Sequence, residues 1–295
     1  MALLFKKQLL ELSVIDHIKS EQGRSGLAEH TRRNLRNIGK MYNAWLKLNK
    51  QQLSEKSLKC FLQNLQLKQS SATWNLSRQN LKKLLKHQPG IGDNYLKRVM
   101  IDEIFTDIKN LRQDKKVVDY LQYSQVLQLI LGSDVKTALI IEFLFKTGCR
   151  ISEMINIRPL DVNVDRQVRI SVIGKGSKQR TVFIDHELYE RISKQFKGVY
   201  YLFENSKHHK LDRSNLFRKI KAAGQEVLHR AIHPHILRHS TANYLLKDCG
   251  KSPKFVSEYL GHSDTAVTLE MYIHEQPGEE VVDLFSYRKR ERKVG

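Results

Sequence analysis

The chain has 295 residues, and its 51 lysines and arginines against 31 aspartates and glutamates give a formal net charge of +20. This length suggests two domains of ordinary size, and the charge points to a polyanionic partner. No run approaches the roughly 18 apolar residues of a membrane span and no secretory signal opens the chain, so we expect a nucleic-acid partner and a cytoplasmic, nucleoid-associated location.

The first part of the chain repeats apolar residues at intervals of three and four, which is the helical period. The predicted helices cover residues 9–18, 31–48, 54–67, 73–87 and 94–108. Thr31 and Ser54 are predicted N-caps. Residues 1–118 hold 23 basic and 10 acidic residues, so +13 of the total charge of +20 lies in this helical part.

A polar segment between the third and fourth predicted helices carries hydroxyls, amides and basic groups, which bond to phosphates and base edges. The candidate DNA contacts are Ser71, Thr73, Asn75, Arg78, Lys82 and Lys83. The alternative is a solvated helix face, because charge runs usually are only that. Trp74 is predicted to be a core residue rather than a base-stacking platform.

The second part opens after a charged run over residues 110–118 that loses helical periodicity and is predicted to be a linker. Ser124 is predicted to cap a helix that ends near Gly132. Asp134 opens a helix that is apolar on most faces, which predicts a central core element. Gly148 suits the C-cap of that helix and would place Arg150 just beyond a rigid element.

A β-hairpin is predicted next, because residues 167–173 and 180–184 alternate and are rich in Val, Ile and Thr. Gly174-Lys175-Gly176-Ser177 lies between them and puts Lys175 at the tip. Further helices are predicted over residues 187–197, 213–228, 236–247, 253–260 and about 266–274.

Metal binding is not expected from the sequence. The three cysteines lie far apart without a C-x-x-C pair. The histidines at positions 233, 235 and 239 have no carboxylate or cysteine at ligand spacing. We therefore predict no metal and no cofactor.

Five short segments of the second part supply six candidate catalytic side chains, which are two arginines, a lysine, two histidines and a tyrosine. They are Thr147-Gly148-Cys149-Arg150-Ile151-Ser152-Glu153, Gly174-Lys175-Gly176, His235-Ile236-Leu237-Arg238-His239, Leu260-Gly261-His262-Ser263 and Met271-Tyr272. Such side chains can clamp an anionic phosphate, transfer protons and hold the phosphate covalently. In order and spelling the segments resemble the catalytic domain of tyrosine site-specific recombinases, the family of phage integrases and Xer-like resolvases.

The guanidinium groups of Arg150 and Arg238 can fork onto the oxygens of a scissile phosphate, and Glu153 is expected to orient Arg150. Tyr272 is the candidate nucleophile, with Tyr244, Tyr259 and Tyr287 as rivals that no motif places. The resemblance implies that attack by Tyr272 leaves a 3′-phosphotyrosyl link and a free 5′-hydroxyl.

The resemblance also implies the proton donors. Lys175 would protonate the leaving 5′-oxygen, with Lys178 in the same turn as the competitor. His235 is the second acid/base candidate, and His262 would donate a hydrogen bond to a non-bridging oxygen. The spacing departs from the family pattern at one place. Tyr272 is the tenth residue after His262, whereas in most relatives the tyrosine is the ninth.

The fold implied by the resemblance is mainly α with a small β-hairpin or sheet in the catalytic domain, in a two-domain, C-shaped DNA clamp. Residues 1–109 would form a helical, SAM-like core-binding domain, 110–118 the linker and 119–275 the catalytic integrase domain. Residues 276–295 would be a C-terminal helix and basic tail that docks on a neighbouring subunit, with docking in cis as the alternative.

The sequence predicts a site-specific recombinase that acts on duplex DNA, as a homotetramer on two sites or a heterotetramer with a related recombinase. Within enzymes, the alternatives are a type IB topoisomerase-like activity and a hairpin-end resolving enzyme. A non-cleaving architectural DNA-binding protein is the alternative from another class, and an RNA-binding protein is supported by charge alone.

Overall fold

The computed structural model describes residues 29–87, 95–113, 118–174 and 178–261. The chain divides into two compact units, Met1–Lys115 and Lys116–Gly295. The predicted helices at 9–18 and about 266–274, the C-terminal tail, and the candidate residues Lys175, His262 and Tyr272 lie outside the described residues.

The described part of the first unit is helical. Its helices are α1 (Glu29–Leu48), α2 (Glu55–Gln66), α3 (Ser71–Lys86) and α4 (Tyr95–Asp107). Ser54 caps α2 as predicted, because its side chain accepts a hydrogen bond from the Ser57 backbone N–H. The predicted Thr31 cap is wrong, since α1 begins at Glu29.

The core of this unit lies between α1, α2, α3 and α4. Tyr42 is fully buried and its hydroxyl lies 2.8 Å from Ser57 Oγ. Trp74 is buried too, and its indole N–H donates to the Leu62 carbonyl at 2.7 Å, which confirms the prediction of a core residue. A buried indole needs such an acceptor, so this bond fixes α3 against α2.

The second unit combines helices with one small sheet. Its elements are α5 (Tyr123–Leu131), α6 (Val135–Thr147), α7 (Ile151–Met154), β1 (Val162–Val164), β2 (Val168–Ile173), β3 (Gln179–Ile184), α8 (His186–Phe196), α9 (Arg213–Leu228), α10 (Pro234–Asn243) and α11 (Pro253–Leu260). A π-helical turn, Tyr244–Asp248, follows α10. The predicted fold class, mainly α with a small sheet, is confirmed.

Helix α6 is the central element of this unit. Asp134 caps it as predicted by accepting from the backbone N–H groups of Lys136 and Thr137. Gly148 ends it in the left-handed conformation, with φ of 58°. A Cβ at Gly148 would lie 2.2 Å from Leu260 Cδ2, so both the backbone and the close approach of α11 require glycine here.

The sheet is antiparallel in the order β1-β2-β3. One of its faces is buried and packs toward α6. The predicted hairpin is confirmed as β2 and β3, and the three-residue strand β1 was not predicted. Val172 pairs with Arg180 in the register, so Arg180 lies on the same face of the sheet as a buried valine.

Several helix ends differ from the prediction by one or more residues, and two of the differences matter for the caps and the site. Helix α5 begins at Tyr123 with Gln122 as N-cap, so Ser124 lies inside the helix. The regular part of α10 ends at Asn243, before the predicted end at residue 247. No helix in the described ranges is long and apolar enough to cross a bilayer.

Candidate active site

Arg150 lies at the start of α7, directly after the turn that Gly148 makes possible. The Glu153 carboxylate holds it twice. Glu153 Oε2 accepts from the Arg150 backbone N–H at 2.9 Å, and Oε1 accepts from Arg150 Nη1 at 2.7 Å. The contact predicted between these residues is present, and the Arg150 side chain keeps 31% of its surface exposed.

Arg238 lies on α10 and is only 4% exposed. Its Nη1 donates to the Gly148 carbonyl at 2.5 Å and its Nη2 to the Leu260 carbonyl at 2.7 Å. This one side chain therefore joins the ends of α6 and α11 to α10. In this position Arg238 is close enough to Arg150 for their charges to repel each other.

Arg180 on β3 is a third arginine at the site, and sequence reasoning missed it. Its Nη2 donates to Glu153 Oε2 at 2.9 Å and lies 3.7 Å from Cys149 Sγ. Its side chain is 12% exposed, and its Nε is buried with no hydrogen-bond partner in the described part of the chain. Strand alternation could have found it, because residues 180, 182 and 184 share one face of β3 and the other two are buried and apolar.

The electrostatics of the cluster are unbalanced. The guanidinium groups of Arg150 and Arg180 share the carboxylate of Glu153, and Arg238 lies close enough to feel the charges of all three. Burial alone would raise the pKa of Glu153, but hydrogen bonds from Arg180 and Arg150 outweigh it and hold that pKa below its usual value. Burial, followed by repulsion from Arg150 and Arg180, lowers the pKa of Arg238 to about 10. The site carries excess positive charge, which an anion would neutralise.

His235 and His239 add imidazole groups on α10. Burial, followed by the charges of His233 and nearby arginines, lowers the pKa of His235, which favours the neutral ring at pH 7. Burial, followed by His235 and Arg238, lowers the pKa of His239 to about 4. A neutral imidazole beside a phosphate clamp can accept a proton.

Two glycines at the cluster adjoin predicted catalytic residues in the sequence, since Gly174 precedes Lys175 and Gly261 precedes His262. A Cβ on Gly174 would lie 3.3 Å from Glu153 Oε1, and one on Gly261 would lie 3.0 Å from Arg180 Cδ. Gly261 also has φ of 68°, a conformation that side chains disfavour. The structure thus brings the described neighbours of both segments to the arginine cluster.

One rival nucleophile is engaged elsewhere. The Tyr259 hydroxyl donates to the Lys146 carbonyl at 2.7 Å, and burial raises its pKa to about 12. The competitor Lys178 is exposed, and its carbonyl closes the hairpin by accepting from the Gly174 N–H at 2.8 Å.

In the first unit, two candidate DNA contacts bond to their own chain instead. Asn75 is buried and exchanges two hydrogen bonds with the Leu111 backbone, at 2.8 and 2.9 Å. Arg78 donates to the carbonyls of Phe105 and Ile108, at the end of α4, and stacks over the Phe105 ring. The proposed DNA surface therefore excludes Asn75 and Arg78.

The other candidates on α3 differ in how they are paired. The Lys82 ammonium lies 2.7 Å from Asp102, which also pairs with Lys86. Thr73 is exposed and Ser71 is half-buried at the start of the helix. Lys83 is half-buried and forms no ion pair within the described ranges.

The α1 helix carries basic residues that sequence reasoning did not single out. Arg33 and Lys40 are exposed and lie about two helical turns apart, on one face. Their position on a helix opposite its apolar stripe was the available sequence indication. Among the described residues, no group of three or more histidine, cysteine or acidic side chains could hold a metal ion.

The comparison with protein families identifies the class. The phage integrase family model matches residues 116–279, more than half of the chain. The chain therefore belongs to the phage integrase family, which confirms the resemblance seen in the sequence motifs.

Individual relatives agree. The tyrosine recombinase XerD of Staphylococcus haemolyticus (strain JCSC1435) is 31% identical over 184 residues, 57% of this chain and 61% of the relative. The tyrosine recombinase of Thermosipho africanus (strain TCF52B) is 31% identical over 175 residues, with the same shares of 57% and 61%. The chain thus spans about three fifths of the length of the curated relatives it matches.

A solved structure shows the same fold. The lambda integrase dimer bound to a COC′ core site has a TM-score of 0.70 with this chain at 16% sequence identity, covering 90% of this chain and 78% of that chain. At this identity the likeness concerns the fold alone.

Proposed function

We propose that this protein is a site-specific DNA recombinase that cuts and rejoins DNA through a 3′-phosphotyrosyl intermediate at Tyr272. The observation that carries the proposal is the gathering of Arg150, Arg180 and Arg238 around the one carboxylate of Glu153. An anionic phosphate would supply the missing negative charge, and charge gained at the transition state would be stabilised further. The relatives named as tyrosine recombinases support this choice.

In the proposed reaction the Tyr272 oxygen attacks the phosphorus, and the bond from phosphorus to the 5′-oxygen breaks. Arg150 and Arg238 bind the non-bridging oxygens, and His262 donates a further hydrogen bond to them. Neutral His235 accepts the phenol proton, and Lys175 protonates the leaving 5′-oxygen. The bond energy stays in the phosphotyrosyl link, so the 5′-hydroxyl of a partner strand can reverse the step without a cofactor or metal.

Duplex DNA is the proposed partner of both units. Arg33, Lys40 and Lys83 in the first unit offer positive charge to backbone phosphates, as a core-binding domain would. Exchange between two duplexes needs four active subunits, so we propose a tetramer of this chain, or of this chain with a related recombinase. The tail at residues 276–295 is the proposed link between neighbouring subunits, and the nucleoid is the proposed place of action.

Covalent capture tests the proposal. Wild-type protein, Tyr272→Phe and the matched control Tyr259→Phe are incubated with sheared DNA of the source cell, denatured in detergent, and the attached DNA is sequenced. We expect one recurrent site attached to the wild type and to Tyr259→Phe, and background with Tyr272→Phe. A second arm adds extract of the source cell, which supplies any partner recombinase.

Equal background for wild type and Tyr272→Phe in both arms would overturn the cleavage mechanism and favour a non-cleaving DNA-binding protein. When a site is recovered, two copies of it on one supercoiled plasmid separate the enzyme classes. Recombinant products support the recombinase. Relaxation without recombinants would favour a type IB topoisomerase-like activity.

A further inference from the structure

Arg180 stands behind the residues that would touch DNA. Of the two arginines that share Glu153, Arg150 has 31% of its side chain exposed and Arg180 has 12%. The carboxylate between them is 3% exposed. A phosphate approaching from solvent would therefore reach Arg150, while Arg180 stays on the inner side of the carboxylate.

We propose that Arg180 is a positioning residue for DNA cleavage, which keeps Arg150 available to the phosphate by sharing the Glu153 carboxylate. The inference rests on the proposed recombinase function and assigns a role to a residue outside the predicted set. It concerns an arginine that acts through another arginine and not one that touches the reacting atoms.

The Glu153 carboxylate competes with the phosphate for Arg150. Glu153 Oε2 accepts from both Arg180 Nη2 and the Arg150 backbone N–H, and Oε1 accepts from Arg150 Nη1. A buried carboxylate must be neutralised by its neighbours. Without Arg180, Arg150 would be the remaining guanidinium hydrogen-bonded to that carboxylate, and Glu153 would hold it in competition with the phosphate.

Arg180 also acts through its size. Arg180 fills the space between Gly174 and Gly261, since a Cβ on Gly261 would lie 3.0 Å from Arg180 Cδ and one on Gly174 would lie 3.8 Å from Arg180 Nη1. These glycines adjoin Lys175 and His262 in the sequence. The arginine therefore sets the separation of the two backbone segments at the clamp, in addition to binding Glu153.

The shape of the Arg180 guanidinium group matters in addition to its positive charge. Arg180 Nη2 faces two acceptors, Glu153 Oε2 at 2.9 Å and Cys149 Sγ at 3.7 Å, and the planar group packs with Nε enclosed. A lysine would keep the charge but would lose the fork and the width of the group. Arg180→Lys therefore separates geometry from charge.

The test uses the DNA site recovered by covalent capture, as a duplex nicked so that the cleaved strand cannot religate. Single-turnover formation of the protein–DNA adduct and DNA affinity are measured for wild type, Arg180→Lys, Arg150→Lys and the double variant. The matched control is Arg191→Lys on α8. Arg191 Nη2 also pairs with a carboxylate, that of Glu142, at 2.7 Å, but this pair is outside the arginine cluster. Thermal unfolding checks that every variant is folded.

We expect Arg180→Lys to slow cleavage about 10- to 100-fold, by the scale of small misplacements at active sites, while DNA affinity stays within about threefold. Because the two arginines act as one unit, the double variant should be slower than Arg150→Lys by no more than about threefold. Arg191→Lys should match the wild type. Effects of Arg180→Lys and Arg150→Lys that multiply in full would overturn the inference.

A substrate with a neutral methylphosphonate at the scissile position adds a readout that simple misfolding would not change. Arg180 is proposed to act through the charge of Arg150, and a neutral substrate needs that charge less, so the defect of Arg180→Lys should shrink on it. A defect of equal size on both substrates would assign Arg180 a purely structural role. If the wild type itself forms no adduct that depends on Tyr272, the proposed function fails and not this inference alone.

Discussion

The arginines of the two units have different surroundings. In the first unit, Arg78 donates hydrogen bonds to the carbonyls of Phe105 and Ile108 and to the Asn110 side chain. In the second unit, three arginines crowd around Glu153. Arg78 braces one helix end, whereas Arg238 braces the ends of α6 and α11 and also adds to an excess of positive charge.

The difference shows that partners, and not residue type, decide what an arginine can bind. Arg78 supplies donors to free carbonyls at the C-terminal end of α4, and burial alone lowers its pKa, whereas repulsion from Arg150 and Arg180 also lowers the pKa of Arg238. Around Glu153 the positive charges outnumber the negative one, so an anion improves the balance.

The sharpest test of this contrast is Arg238→Lys. The variant keeps a positive charge but cannot fork onto phosphate oxygens while also holding the Gly148 and Leu260 carbonyls. We expect cleavage of the recovered site to fall at least about 100-fold, the scale of losing one oxyanion donor. Rapid-quench measurement of adduct formation on saturating DNA gives the rate.

The control for that experiment is Arg218→Lys on the exposed surface of α9, which should cleave at the wild-type rate. Unchanged cleavage in Arg238→Lys would break the comparison, because Arg238 would then be a structural brace of the same kind as Arg78.

The converse prediction concerns Arg78→Ala. Removal leaves two carbonyls at the end of α4 without their charged donor, so we expect the free energy of unfolding to fall by about 3 kcal/mol. Urea unfolding measures it, and the cleavage rate on bound DNA should not change. The exposed Arg98 on α4 is the control, and Arg98→Ala should cost less than about 0.5 kcal/mol. A loss of DNA affinity at full stability would restore Arg78 as a DNA contact.

Sequence reasoning succeeded where one residue decides the local structure. Asp134 and Ser54 were predicted as N-caps, and Gly148 as the left-handed C-cap, because each position depends on the chemistry of that residue alone. It failed where a partner decides. Thr31 lies inside α1 and not at its N-cap, and Glu29 in the same turn pairs with Arg32 and Arg36 at 3.0 and 2.6 Å.

The site shows the same division. Arg150 and Arg238 were predicted because motifs spell them out, and the structure brings both to Glu153. Arg180 belongs to no predicted motif, and its place depends on the pairing of β3 with β2. Helix α5 begins where the Gln125 side chain accepts from the Gln122 backbone N–H at 3.0 Å, and a cap formed by glutamine leaves little trace in a sequence.

The burial of His239 beside the arginine cluster should also appear as a pH effect on stability. Burial, then His235 and Arg238, lowers the pKa of His239 from 6.5 to about 4, although Asp119 opposes the shift. As the pH falls below 6.5 the unfolded chain takes up this proton first, so stability is full above pH 6.5 and declines toward pH 4. The loss between pH 7 and pH 5 should be about 2 kcal/mol.

Urea unfolding at the two pH values measures this loss, and His239→Gln should remove it. The exposed His209 is the control, and His209→Gln should keep the wild-type dependence. An identical pH dependence in wild type and His239→Gln would show that burial and the neighbouring charges do not lower the pKa of His239.

The smallest expected effect tests which lysines of the first unit remain available. Lys82 shares Asp102 with Lys86, at 2.7 and 2.6 Å, whereas Lys83 forms no ion pair among the described residues. If availability decides binding, Lys83→Ala should weaken affinity for DNA about three- to tenfold and reduce the slope of log affinity against log salt by about one. Lys82→Ala should change the slope less, because Asp102 already neutralises that ammonium. Titrations of labelled duplex at several salt concentrations give both slopes, and equal slopes for the two variants would mean that Asp102 releases Lys82 when DNA binds.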